Sequence, residues 1–237
     1  MIMAMKAKKL NPTLWRTCRV LMNEIRLRLF WAVAANADRL NVTGIARLLG
    51  IPQPVATNGL RALQSRGLIG VRRERYSVYY NLSEDRSLPA ATRLRDAFVS
   101  YFESQELPPN WTDEIMVQLK AFSHFNRLAM LRRLAHGEAT KADLEKSAGV
   151  VVKTVEHHLH YLSRAGLVAG RSDDAGLGVY RLVPQKHPVV CELLRQTTGG
   201  EQTYFNVGTG SEKDLRLVHD KNGNRGFVTK NQAPIYD

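Results

Sequence analysis

The sequence predicts a mainly helical α+β chain in which one small unit, a run of helices closed by a β hairpin, occurs twice. Three observations carry this. Apolar residues recur at helical spacing over most of the first 196 residues. A helix–Gly–strand–charged turn–strand run appears at 50–82 and again at 149–182. The charge is strongly positive, +12 over 237 residues, and most of it sits in the first 106 residues.

The stretch from Gly50 to Ile69 is the most informative. Pro52 and Pro54 suit the first turn of a helix, where the missing N–H leaves no bond unmade. Val55, Gly59, Leu60 and Leu63 are expected to form its inward face. Gln53, Thr57, Asn58 and Arg61 are expected on the outward face, and these side chains hydrogen-bond base edges in a DNA major groove. Gly67 closes the helix as a left-handed glycine does. Leu68 to Tyr80 then reads as strand, turn, strand, with Arg72, Arg73, Arg75 and Tyr76 toward the tip. A recognition helix followed at once by a basic hairpin is the pattern of a winged helix-turn-helix, so the fold expected is two such domains in tandem.

The second copy begins at Ala148-Gly149. Gly50 aligns with Gly149, Leu60 with Leu159, Leu63 with Leu162, and Gly67-Leu68 with Gly166-Leu167. Tyr80-Asn81-Leu82 aligns with Tyr180-Arg181-Leu182, and Pro89 with Pro188.

In chain order, residues 1–13 form a basic arm, with no apolar run behind its charges to make a signal peptide. Residues 14–106 form the first domain: a long helix from Leu14 to about Ala35, a short helix Gly44–Leu49 capped by Thr43, the 50–64 helix, the wing and a trailing helix from Ser87-Leu88-Pro89 to about Phe102. Pro108 and Pro109 mark a linker at 107–110. Residues 111–196 repeat the plan, with a first helix between Trp111 and Ala135, helices at 141–147 and 151–164, a wing at 166–182 and a short last helix from Pro188. In the tail, 197–237, Asn222-Gly223 between apolar runs signals a hairpin. No apolar run approaches the ~20 residues of a membrane span. Two cysteines, Cys18 and Cys191, make no disulfide framework, and a cytoplasmic location is expected.

Both copies resemble ArsR-type winged-helix transcription regulators. The family run is a small turn, Gln-Pro, then His-Leu-x-x-Leu and Gly-Leu-Ile/Val. The first copy keeps Gln53-Pro54, Leu60, Leu63 and Gly67-Leu68-Ile69 but has Gly59 where His is common. The second keeps His158-Leu159, Leu162 and Gly166-Leu167-Val168 but has Glu156 where Ser or Thr is usual. The match covers roughly residues 14–196. The resemblance implies double-stranded DNA as partner and dimer contacts through the helices flanking each wing. The helix after the first wing is thus either a seam between two chains or a packing surface for the second domain of the same chain.

The copies are not equivalent in charge. Residues 1–106 hold 17 Lys/Arg against 8 Asp/Glu, and residues 107–196 hold 12 against 9. The second wing carries Asp173 and Asp174 where phosphates would lie, while Lys153, Thr154, His157 and His160 remain contact candidates on its helix. The first copy is therefore expected to be the main reader.

Other chemistries find little support. His157 and His158 are adjacent and diverge on a helix, and the family carries His at the latter position without metal, so no metal site is expected there. His187 and Cys191 have helical metal spacing but only Glu192 beside them. Gly208-Thr209-Gly210-Ser211-Glu212-Lys213 lacks the Gly-Lys-Ser/Thr order of a phosphate loop. Neither catalysis nor a cofactor is expected. The function expected is a sequence-specific DNA-binding regulator, a repressor that occupies a promoter. A plasmid-type replication initiator and a nucleoid or segregation protein, both with tandem winged helices, are the alternatives.

Overall fold

The computed structural model describes residues 12–36, 40–75, 77–82, 89–104, 107–172, 178–199, 215–219 and 225–229. The chain is mainly helical with small antiparallel sheets. The first half runs α1 (Pro12–Leu21), α2 (Glu24–Ala35), α3 (Val42–Leu49), α4 (Gln53–Gln64), β1 (Gly70–Glu74), β2 (Ser77–Asn81) and α5 (Pro89–Ser104). The second half gives the same succession: α6 (Trp111–Phe122), α7 (Phe125–Ala135), β3 (Ala139–Thr140), α8 (Lys141–Ala148), α9 (Val152–Arg164), β4 (Val168–Ser172), β5 (Gly178–Leu182) and α10 (Pro188–Thr198). Both halves fall within one compact unit, Met1–Phe205. The rest, Asn206–Asp237, is a separate unit whose described part is the hairpin β6 (Leu215–His219) and β7 (Arg225–Thr229), registered from Leu215↔Thr229 to His219↔Arg225.

The long first helix expected at 14–35 is two helices, and so is its counterpart at 111–135. The reason is local. Asn23 turns to β backbone and its side chain accepts the Arg26 N–H, starting a new helix. The Arg26 guanidinium then donates to the Val20 carbonyl at 2.8 Å, satisfying the end of α1. The second half repeats the device, with His124 Nδ1 accepting from Asn126 N and Arg127 donating to the Lys120 and Ala121 carbonyls. Ile25, just after the break, is 36% exposed.

The next turns also repeat. Asn41, not Thr43, caps α3 by accepting the Gly44 N–H, and Thr140 caps α8 through a capping box with Asp143. Gly50 and Gly149 close these helices at the same φ of 64°, a conformation that glycine adopts without strain. Asn41 bridges Tyr79 where the second half places the two-residue strand β3 against β5.

Buried side chains from both halves form one cluster, from Leu14 to Leu194. Each fully buried Leu or Phe contributes about 1.5–3 kcal/mol of transfer free energy. The halves meet through like helices: α1 packs on α6 and α5 on α10, while α2 meets α6 and α7 meets α1. Between α5 and α10, Arg93 Nε donates to Glu192 Oε1 at 3.2 Å and Gln196 Nε2 donates to the Ala90 carbonyl at 2.8 Å. The Glu192 carboxylate, 5% exposed, also accepts from Arg195 and Gln196. Nearby, the Tyr101 and His187 rings lie 4.5 Å apart and Phe102 meets Trp111 edge-on. The trailing helix α5 thus packs on the second half of the same chain.

Candidate nucleic-acid interface

Helix α4 is preceded by Pro52 at its N-cap, has Pro54 in its first turn, and ends before Gly67, whose φ of 68° turns the chain into β1. Its inward face is Ala56, Gly59, Leu60 and Leu63. Val55, expected inward, is 38% exposed, and Ala56 takes its place. Gly59 is a close-approach glycine: a Cβ there would stand 2.3 Å from Leu29 Cδ1, so α2 sinks a leucine against the α4 backbone.

The outward face carries what the sequence placed there. Gln53, Asn58 and Arg61 are exposed. Thr57 is half-buried, and its hydroxyl donates to the Gln53 carbonyl at 2.9 Å while its lone pairs stay open.

Beside α4 stands the β1–β2 hairpin, registered from Gly70↔Asn81 to Glu74↔Ser77. Arg72, Arg73 and Arg75 are all exposed. The Arg72 guanidinium lies 5.1 Å from the Tyr79 ring centre and donates to Glu74 at 2.9 Å. Arg75 takes φ 51° to make the turn. Tyr76 lies outside the described residues. Burial pushes the Tyr80 phenol up, while the positive charges of Arg61 and Arg73 pull it the other way. Arg61, in the last turn of α4, and Arg73, on β1, thus both lie near enough to act on that one hydroxyl. Among the described residues, no ion pair holds Arg61, Arg73 or Arg75.

The equivalent surface of the second half is built alike but neutralised. On α9, Lys153, His157 and His160 are exposed and Thr154 half-buried. Glu156 is held by Lys141 at 2.6 Å, and Arg171 of β4 by Glu138 at 2.7 Å. The hydrogen bond that Lys141 donates to Glu156 raises its ammonium, and the hydrogen bonds donated by Arg171 lower the Glu138 carboxyl. Asp173 and Asp174 lie outside the described residues. Val151 and Val152 at the leading end of α9 are exposed, as is Val55 on α4. The sequence reading missed these three, because an apolar residue beside a helical stripe reads as core.

His158 is not at this surface. It is 4% exposed, between the Asn126 amide and the Arg127 guanidinium, and its pKa is pushed down to about 4 by burial first and then by the positive charge of its neighbours. Cys191 Sγ donates to the Gln185 carbonyl, and the His187 ring lies tilted against Tyr101. Among the described residues, no three His, Cys, Asp or Glu side chains are grouped to hold a metal ion. Nor is any helix among them long and apolar enough to cross a membrane. No protein-family model, curated protein or solved structure matches the chain.

Proposed function

We propose that the protein is a sequence-specific double-stranded DNA-binding regulator, built as two tandem winged helix-turn-helix domains and acting as a repressor by covering a promoter. The observation that carries this reading is the set of exposed polar and basic side chains on α4 and the β1–β2 hairpin. There Gln53, Asn58 and Arg61 stand exposed beside Arg73 and Arg75, with no ion pair among the described residues to neutralise those arginines. Helix α4 enters the major groove. Asn58 and Gln53 present amide donors and acceptors to adenine, and Arg61 presents paired donors to guanine. Val55 meets thymine methyl groups. The hairpin arginines hold phosphates and fix the register. The second half, with Glu156 and Arg171 already paired, contributes less affinity through Lys153, Thr154, His157 and His160.

The test is repeated selection of bound duplexes from a randomised library at physiological salt. A shared motif, bound at least about a thousandfold more tightly than random duplex, is the expected outcome. Retention of DNA without a motif would favour a structural nucleoid role. No retention would end the nucleic-acid reading.

A further inference from the structure

Contacts between the two halves follow a rule that sequence repetition alone does not require. Like meets like, α1 with α6 and α5 with α10; of the unlike contacts, α2 with α6 is matched by its mirror, α7 with α1, and α1 with α10 is answered between α5 and α6 by the Phe102–Trp111 ring contact. Reciprocity of this kind is the mark of a two-fold relation, in which patch i meets patch j and patch j meets patch i. A head-to-tail arrangement would join one face of the first half to a different face of the second. The axis itself can be located. Counting from Pro89 and Pro188, Arg93 and Glu192 are the same position in the two copies, and these two residues bond to each other at 3.2 Å. A residue touches its own equivalent only beside the axis.

That pair also favours one pairing over others. Two first halves meeting through α5 would bring Arg93 against Arg93, and two second halves would bring one buried Glu192 against another. The only complementary combination is the one a single chain already contains. Helices α4 and α9 are attached to their halves in the same way, α4 on α2 and α3 and α9 on α7 and α8, so the same two-fold relation extends to them. Their exposed side chains differ: Gln53, Asn58 and Arg61 on one, Lys153, His157 and His160 on the other.

We propose that one chain serves as its own dimer, and that its target is an inverted pair of unlike half-sites, one read by α4 and the other by α9. This rests on the DNA-binding reading above. It follows that the half-sites are centred about one helical turn apart, or a multiple of it, as protein two-fold symmetry imposes. The site is not a palindrome.

The experiment uses the full chain and the duplexes enriched from the randomised library. Stoichiometry is measured by native mass spectrometry, and affinity is measured on three rearrangements: one half turned round into a direct repeat, the first half duplicated as a palindrome, and one half scrambled. One chain per duplex and a loss of about tenfold or more on every rearrangement are expected. Asn58→Ala should relax base preference in one half-site, and the pair Lys153→Ala with His157→Ala in the other. Two chains per duplex, equal binding to the direct repeat, or both variants relaxing the same half would overturn the proposal while leaving DNA binding intact. Failure to enrich any motif would instead remove the reading on which it rests.

Discussion

Substituting Gly59 by alanine tests how α4 is seated. The added Cβ would lie 2.3 Å from Leu29 Cδ1, and Leu29 is fully buried, so the leucine must rotate against neighbours that already fill its surroundings. Overpacking of this kind costs about 1–3 kcal/mol. Against it stands the gain of about 1 kcal/mol from replacing a mid-helix glycine by alanine. The two nearly offset, and Gly59→Ala is expected to destabilise by roughly 0–2 kcal/mol. A double-mutant cycle separates them. Leu29→Ala alone should cost about 2–5 kcal/mol, as a buried leucine does. In that background Gly59→Ala meets open space, and its effect should change sign to a stabilisation of about 1 kcal/mol. Leu29→Val, which also removes the interfering methyl, should give the same reversal in milder form. Urea unfolding followed by circular dichroism, with unchanged m-values, reads all variants. If Gly59→Ala costs as much with alanine at 29 as with leucine, the two residues do not share that space and the account of the close approach is wrong.

Three further outcomes are expected. His158 is held neutral in the fold, with its pKa near 4 against 6.5 for an unconstrained imidazole. A depressed folded pKa means that stability is full above pH 6.5 and is lost as pH falls toward 4, by up to about 3 kcal/mol. His158→Gln should flatten that part of a stability–pH profile, with His124 and His187, also lowered by burial, accounting for what remains. Glu192→Ala removes a buried carboxylate from Arg93, Arg195 and Gln196; because Arg93 is half-exposed and can rehydrate, the cost should be about 1–3 kcal/mol in urea unfolding. The thiols of Cys18 and Cys191 are both raised by burial, so neither should react with a disulfide reagent at pH 8 until the chain unfolds.

Much of the order of elements was legible because it is punctuated locally. Gly50 and Gly149 close equivalent helices, Pro52, Pro54 and Pro188 open others, and the strands occupy the expected segments on either side of the charged turns. The breaks at Asn23 and His124 were less visible, since the apolar period runs through them. What stops each helix is a side-chain cap and an arginine reaching six or seven residues back to a carbonyl. The outward face of α4 was readable from its polar stripe, whereas Val55 was not, because period alone cannot assign a residue at the edge of an apolar face. Least visible was the seam. The alignment already held Arg93 opposite Glu192, but a repeat does not reveal how its copies meet. Only the contacts between α1 and α6 and between α5 and α10 do.

The most direct test of the central claim is DNA affinity against salt, on enriched and random duplexes, for the wild-type chain, Asn58→Ala and Arg73→Ala. Loss of a base contact should cost Asn58→Ala about 1–3 kcal/mol on the enriched duplex and almost nothing on random DNA. Loss of a phosphate contact should weaken Arg73→Ala on both and lower the slope of log affinity against log salt by about 1. If both variants bind as the wild type does, with unchanged slope, α4 and the β1–β2 hairpin are not the surface that meets DNA.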